Sequence, residues 1–142
     1  MGIYDTAAEA MGKVFITTEL DGKGSATAET VRIAKRGIRN FLIHEGILEG
    51  SPDLSPSIHL DMPDQLCYIG SESNGLLEMK VDLGEKVQEG QLLAVVHDHQ
   101  RTGTEPVPYH SQLDGILTAR HVPGLIGLGD TLAIVATVTA SP

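Results

Sequence analysis

The sequence has little of what would suggest secretion, membrane insertion or nucleic-acid binding. Its single cysteine, Cys67, cannot form an internal disulfide, and no run approaches the roughly 18 apolar residues of a membrane span. Ten basic residues against 19 acidic ones give a net charge of −9, which argues against nucleic acid or an anionic membrane as a general partner. The first residues also lack the basic-then-apolar order of a signal peptide. We therefore expect a soluble cytoplasmic protein.

The first 50 residues predict a strand, a turn and a helix. The β-branched and aromatic residues of VFITT favour a strand over 13–20, and DGKG (21–24) follows as a turn. Ser25 or Thr27 can cap a helix that Gly46 would end, because apolar side chains recur between them at steps of three and four. We interpret the basic residues of this helix as a solvated face; they are Arg32, Lys35, Arg36 and Arg39.

The rest of the chain predicts a linker followed by a β-rich domain with an internal repeat. Residues 51–56, SPDLSP, have the composition of a linker, and the domain then spans 57–142. Within it, residues 75–96 match residues 115–136 in their glycines and, after a one-residue slip, in their apolar residues. Units this short cannot bury an apolar face alone, so the two should pack together as a β-sandwich with approximate two-fold symmetry. The expected fold class is α+β, rich in β-structure.

The repeat resembles the biotinyl/lipoyl-carrier fold, the barrel-sandwich hybrid. Carriers of this fold attach their cofactor to an exposed lysine on the hairpin between the two halves. The segment between the halves here, HDHQRTGTEPVPYHSQLD, contains no lysine. We therefore expect the fold without lipoyl or biotin, and a free-standing protein-interaction module is one hypothesis for the function.

Candidate metal ligands and nucleophiles are few. His97 and His99 form a His-x-His pair, but we expect His97 to end a strand and His99 to lie in a loop. No histidine is followed by glutamate at the third position, and the sequence contains no G-x-S-x-G, P-loop or G-x-G-x-x-G motif. The apolar stretch LCYI predicts that Cys67 is a buried, unreactive thiol. The residues alone therefore assemble no active site, and a histidine-based metal binder stays a third hypothesis.

A family resemblance extends over nearly the whole chain. The stretches that carry it are KVFITTELDGKGSATAETVRIAKRGIRNFLIHEGIL (13–48), LDMPD (60–64), GLLEMKVDLGEKVQEGQLLAVVHDHQRTG (75–103) and DGILTARHVPGLIGLGD (114–130). Together they resemble the C-terminal portion of the succinylglutamate desuccinylase/aspartoacylase family of zinc amidohydrolases. Within that family they look most similar to the branch that removes the acetyl group from N-acetyl-2,4-diaminobutyrate during ectoine breakdown.

The resemblance implies a catalytic role for Glu19, which from its position alone is a solvated strand end. Members have a carboxypeptidase-like α/β catalytic domain whose zinc is held by a His-x-x-Glu pair and a later histidine. A separate glutamate is the general base on the zinc-bound water, and Glu19 in the TTEL motif matches that position. Residues 1–50 would then end the catalytic domain. Only 18 residues precede Glu19 and none is a histidine, so we expect a fragment that holds no zinc and hydrolyses nothing alone.

The resemblance also implies a small N-acyl amino acid as the substrate of the full-length zinc-dependent protein. Its β-domain would lie beside the catalytic cleft, where Arg101 in the loop 97–103 could pair with a substrate carboxylate. Without its sheet neighbours, the strand 13–20 would expose an apolar edge. We therefore expect either self-association into a homo-oligomer or disorder in the first dozen residues.

Overall fold

The chain divides into two compact units, residues 1–55 and 56–142. The structure, a computed structural model, describes residues 4–20, 22 and 25–140. The first unit contains helix α1 (Tyr4–Ala10) and helix α2 (Ala28–His44). The second unit is built from short antiparallel strands. The α+β, β-rich fold class expected from the sequence is confirmed at this level. The assignment of 51–56 as a linker between two domains stays a prediction.

Helix α2 begins and ends where the sequence predicts. Thr27 is its N-cap: its hydroxyl accepts a hydrogen bond from the Thr30 amide at 3.1 Å, and the Thr30 hydroxyl accepts one from the Thr27 amide at 2.9 Å. This reciprocal pair satisfies two amides that the helix leaves without partners. After His44, Gly46 adopts a φ of +68°, and its amide donates to the carbonyl of Ile43 at 3.0 Å. Glycine reaches this left-handed conformation without strain, and the helix stops there.

The strand expected over 13–20 is not formed. These residues belong to neither helix nor strand, and the side chains of Val14 and Ile16 are 62% and 60% exposed. A strand needs a neighbour to pair its amides and carbonyls, and the described part of the first unit contains no strand that could provide one. Three of the four predicted turn residues lie outside the described residues; they are Asp21, Lys23 and Gly24.

Helix α1 was not predicted from the sequence. It spans Tyr4–Ala10, where disorder was one of two expectations, and the rings of Tyr4 and Phe15 lie 5.6 Å apart between centroids. This contact ties the helix to the segment that follows it. Self-association, the other expectation, stays a prediction.

The second unit consists of two antiparallel sheets. The strands are β1 (His59–Asp61), β2 (Tyr68–Gly70), β3 (Gly75–Met79), β4 (Lys86–Val87), β5 (Leu92–His97), β6 (Val107–His110), β7 (Gly115–Arg120), β8 (Leu125–Ile126) and β9 (Thr131–Thr139). One sheet has five strands in the order β1-β9-β7-β4, with β2 also paired to β9, and the other has four in the order β6-β5-β3-β8.

The internal repeat appears as two interlocked halves, β2–β5 and β6–β9. Strand β3 pairs with β5 of its own half and with β8 of the other half, while β7 pairs with β9 and with β4. Each half therefore contributes its short fourth or eighth strand to the sheet of the other half. The two halves cannot separate without breaking both sheets. This agrees with the expectation that neither copy of the repeat is stable alone.

The matched apolar residues of the repeat form the core. Leu93, Ala94 and Val96 on β5 correspond to Leu132, Ala133 and Val135 on β9, and all six are at most 1% exposed. They pack in one cluster with Ile69, Val87, Leu117 and Ile126. The one-residue slip inferred from the sequence thus aligns the residues that are buried in both halves.

Candidate functional site

Glu19 lies on the surface of the first unit, in the irregular segment between α1 and α2. Its side chain is exposed, and within the described residues it makes no hydrogen bond or ion pair. The carboxylate is therefore free to accept a proton or a hydrogen bond from a group that approaches it.

An apolar groove of about 560 Å³ lies on helix α2 in the same unit. Phe41 and Ile43 of the helix, Ile16 and Leu54 contribute to its lining. Asn40 fixes the 51–54 segment against the helix, since its amide group donates to the carbonyl of Asp53 at 2.7 Å and accepts from the Asp53 amide at 2.8 Å. The predicted linker thus begins with residues that pack on α2.

The basic face of α2 contains one internal ion pair. Arg32 forms hydrogen bonds with Glu29, and both side chains are exposed. The hydrogen bond from Arg32 is the main reason that the pKa of the Glu29 carboxyl lies below its usual value. Lys35 and Arg39 are exposed as well, which agrees with a solvated helix face.

Arg101 lies beside a polar cleft of the second unit. The turn that joins β5 to β6 forms one side of a cleft of about 420 Å³, with Arg101, Asp98 and Glu105 in its lining. Ser73 and Asn74 line another part. Arg101 is exposed and makes no hydrogen bond or ion pair in the described part of the chain. Its guanidinium group is therefore available to a ligand.

The Ser73–Asn74 wall of this cleft is held by hydrogen bonds that sequence reasoning missed. The buried Tyr109 hydroxyl accepts from the Glu72 amide at 3.0 Å and lies 2.9 Å from the Ser73 hydroxyl. The side-chain carbonyl of Asn74 accepts from the Leu128 amide at 2.9 Å. One end of the wall is thus fixed from strand β6 and the other from the turn that joins β8 to β9. The tyrosine in VPYH was the only sequence signal for this network.

His97 and His99 do not act together. His97 ends β5, and its Nε2 lies 2.8 Å from an oxygen of Glu78, which Lys80 also contacts. The hydrogen bonds from Lys80 and, second, from His97 lower the pKa of the Glu78 carboxyl. His99 lies in the exposed turn. The predicted positions of both histidines are confirmed, and His97 faces a carboxylate partner instead of a second histidine.

The described residues do not fit a zinc site. Across residues 4–20, 22 and 25–140, no group of three or more His, Cys, Asp or Glu side chains is placed to hold a metal ion. Cys67 is fully buried in a short 3₁₀ helix, Gln65–Cys67, as its apolar surroundings predict. The zinc implied by the family resemblance therefore has no ligand set among these residues, and no catalytic step below is routed through it.

Membrane insertion through a helix finds no support in the structure. None of the helices within the described residues combines the length and the apolar character that crossing a bilayer requires.

Comparisons with known proteins match almost the whole chain. No protein-family model matches it. It superimposes with a TM-score of 0.91 on the crystal structure of a succinylglutamate desuccinylase from Silicibacter sp. TM1040, with 53% identity over 97% of this chain and 42% of that protein. A succinylglutamate desuccinylase/aspartoacylase from Rhodobacter sphaeroides gives a TM-score of 0.89 at 31% identity, over 96% and 43% of the two chains. The chain thus belongs to the succinylglutamate desuccinylase/aspartoacylase family and corresponds to the C-terminal portion of its members.

Two relatives connect the chain to one branch of that family. It is 49% identical to the N-alpha-acetyl-L-2,4-diaminobutyric acid deacetylase of Halomonas elongata, over 98% of this chain and 41% of that protein. It also matches the product-bound structure of the ectoine utilization protein EutE (DoeB) from Ruegeria pomeroyi, with a TM-score of 0.90 and 51% identity over 94% and 41% of the two chains. The chain spans about 41% of the length of the curated relative it matches.

Proposed function

We propose that this chain is the C-terminal portion of a deacylase that hydrolyses the amide bond of a small N-acyl amino acid. The observation that carries the proposal is the 49% identity to the Halomonas elongata deacetylase over 98% of this chain. The N-acyl group is an acetyl group on 2,4-diaminobutyrate, since that relative is named for this substrate. In this proposal the chain alone is inactive, because residues 4–20, 22 and 25–140 contain no ligand set for the zinc that the family resemblance implies. A cytoplasmic location is part of the proposal, because a single cysteine, which cannot form an internal disulfide, is typical of a reducing compartment.

Glu19 is the general base in this proposal. It accepts the proton of the attacking water and then donates it to the amine that leaves when the amide bond breaks. Its exposed carboxylate, without a partner in the described residues, is free to do both. Arg101 is assigned to the substrate carboxylate, because a guanidinium group can form two parallel hydrogen bonds to it.

The second unit is a barrel-sandwich hybrid without an attached cofactor. The support comes from the two interlocked halves and from the turn between β5 and β6, where the carrier lysine would lie and where none of residues 98–106 is a lysine. The alternative function, a free-standing interaction module, would use this unit alone. The residues before it argue against that alternative, because the resemblance to the relatives extends through Glu19 and α2.

The test of the catalytic role is Glu19→Gln in a protein that joins this chain to the N-terminal portion of the Halomonas elongata relative. The substitution removes the proton acceptor and keeps the shape, so kcat for N-acetyl-2,4-diaminobutyrate should fall about 10²- to 10⁴-fold. The matched control is Glu49→Gln, which changes another exposed glutamate of the first unit. Equal rates for the two variants would remove Glu19 from its role.

A further inference from the structure

The cleft between the β5–β6 turn and the Ser73–Asn74 wall contains charges of both signs. Arg101 supplies the positive charge, while Asp98 and Glu105 supply two negative charges. No ion pair joins Arg101 to either carboxylate, and in the described part of the chain neither carboxylate pairs with another basic side chain. The charges are therefore not neutralised by one another, and each can face a ligand.

The floor and walls of the cleft suit a small aliphatic compound. Val107 is exposed and contributes apolar surface to the lining, while Val96, opposite it in the neighbouring strand, is buried. Asp98 is partly anchored, because its carboxylate accepts a hydrogen bond from the Gln100 amide at 2.9 Å. A volume of about 420 Å³ is sufficient for an amino acid with a short side chain.

The balance of charge distinguishes between the two substrates named by the relatives. Succinylglutamate carries three carboxylates and no free amine. N-acetyl-2,4-diaminobutyrate carries one carboxylate and one free ammonium group. Its deacetylated product carries one carboxylate and two ammonium groups. A cleft with one guanidinium and two carboxylates attracts the second kind of compound and repels the first, because like charges close together are unfavourable.

We propose that this cleft binds a diamino acid, with Arg101 holding the carboxylate and Asp98 and Glu105 holding the side-chain ammonium group. The identity of the ligand rests on the proposed function. The cleft then acts as a specificity-determining site, which selects acylated diaminobutyrate over acylated glutamate. The sequence singled out only Arg101 of the three. The roles of Asp98 and Glu105 depend on the folded turn, which places both residues in the lining of the same cleft as Arg101.

The test is ligand binding to the 142-residue chain, followed through the backbone amide signals in NMR spectra. L-2,4-diaminobutyrate should shift the amides of residues 98–105, and N-succinylglutamate should leave them unchanged at the same concentration. Glu105→Gln and Arg101→Gln should each weaken diaminobutyrate binding by about threefold or more, as expected for partly exposed charge pairs. The matched controls, Glu89→Gln and Arg120→Gln, change exposed residues of the same unit outside the cleft and should leave binding unaltered.

Two results would overturn this inference. Shifts confined to other residues, or equal shifts with N-succinylglutamate, would show that the cleft does not select a diamino acid. The outcome is independent of the deacylase proposal, since no turnover is measured. If the chain binds diaminobutyrate in this cleft, the inference stands even when the joined protein hydrolyses no N-acyl amino acid. If the joined protein is active but the cleft binds no diaminobutyrate, the proposed function stands and the inference fails.

Discussion

At the scale of single residues, two glycines show how closely the paired strands within each half of the repeat approach each other. A Cβ built on Gly75 would lie 2.2 Å from the carbonyl oxygen of His97, and one built on Gly115 would lie 2.4 Å from that of Ala136. These obstacles are backbone atoms in paired strands, so they cannot move aside cheaply. The sequence predicted that the two glycines are equivalent, and the structure gives the physical reason for both.

Gly75→Ala and Gly115→Ala should therefore each lower the free energy of unfolding by about 2 kcal/mol or more. Gly70→Ala is the control, because a Cβ there meets nothing within 4 Å, and its effect should stay below about 1 kcal/mol. Urea unfolding followed by far-UV circular dichroism measures all three, since the chain contains no tryptophan for fluorescence. If all three variants unfolded alike, the close approach would not be what requires glycine.

The candidate site was predictable from the sequence only in part at this scale. Glu19 was assigned through the family resemblance, and Arg101 through the charge and position of its loop in the β-domain that the resemblance implies. Glu105 and the hydroxyl of Tyr109 could not be assigned in that way, because their roles depend on a cleft formed by strands from both halves. Side chains that act through three-dimensional neighbours leave no periodic trace in the sequence.

At the scale of elements, local signals worked for helix α2 and failed for the segment 13–20. The caps at Thr27 and Gly46 are interactions within a few residues, so the sequence contains all the necessary information. A strand depends on a partner that is distant in sequence. Helix α1 was missed although its alanines favour helix, since only seven residues form it.

The capping box predicts that Thr27→Ala will weaken helix α2. The variant loses the hydroxyl that accepts from the Thr30 amide, which should cost about 1 kcal/mol. Thr27→Ser keeps an equivalent hydroxyl and should retain most of the stability. Residue-resolved hydrogen exchange of the α2 amides measures the difference. Identical protection in Thr27→Ala and the original chain would mean that the cap does not stabilise this helix.

At the scale of the whole molecule, the two units differ in how much apolar surface they bury. Neither helix of the first unit contains a buried residue, while the second unit encloses a cluster of fully buried side chains from both halves. The repeat predicted that second core from the sequence. The exchange of strands between halves, with β3 beside β8 and β7 beside β4, could not be predicted, because the sequence repeat does not specify which half each strand pairs with.

The first unit exposes apolar side chains, as expected for a chain that corresponds to only part of the length of its relatives. Val14, Ile16 and Ile38 are all at least 60% exposed, and the chain corresponds to 41% of the Halomonas elongata relative. Large exposed apolar surfaces often mark a place where another part of a protein packs. In our account, that part is the remainder of the deacylase.

The most direct test of this account is acetate release by the protein that joins the N-terminal portion of the Halomonas elongata relative to this chain. If the chain is the C-terminal portion of an N-acetyl-2,4-diaminobutyrate deacetylase, the joined protein should hydrolyse that substrate, while the 142-residue chain alone should not. The parent relative is the positive control. A joined protein that is folded and monodisperse but releases no acetate would contradict the account and favour the interaction module instead.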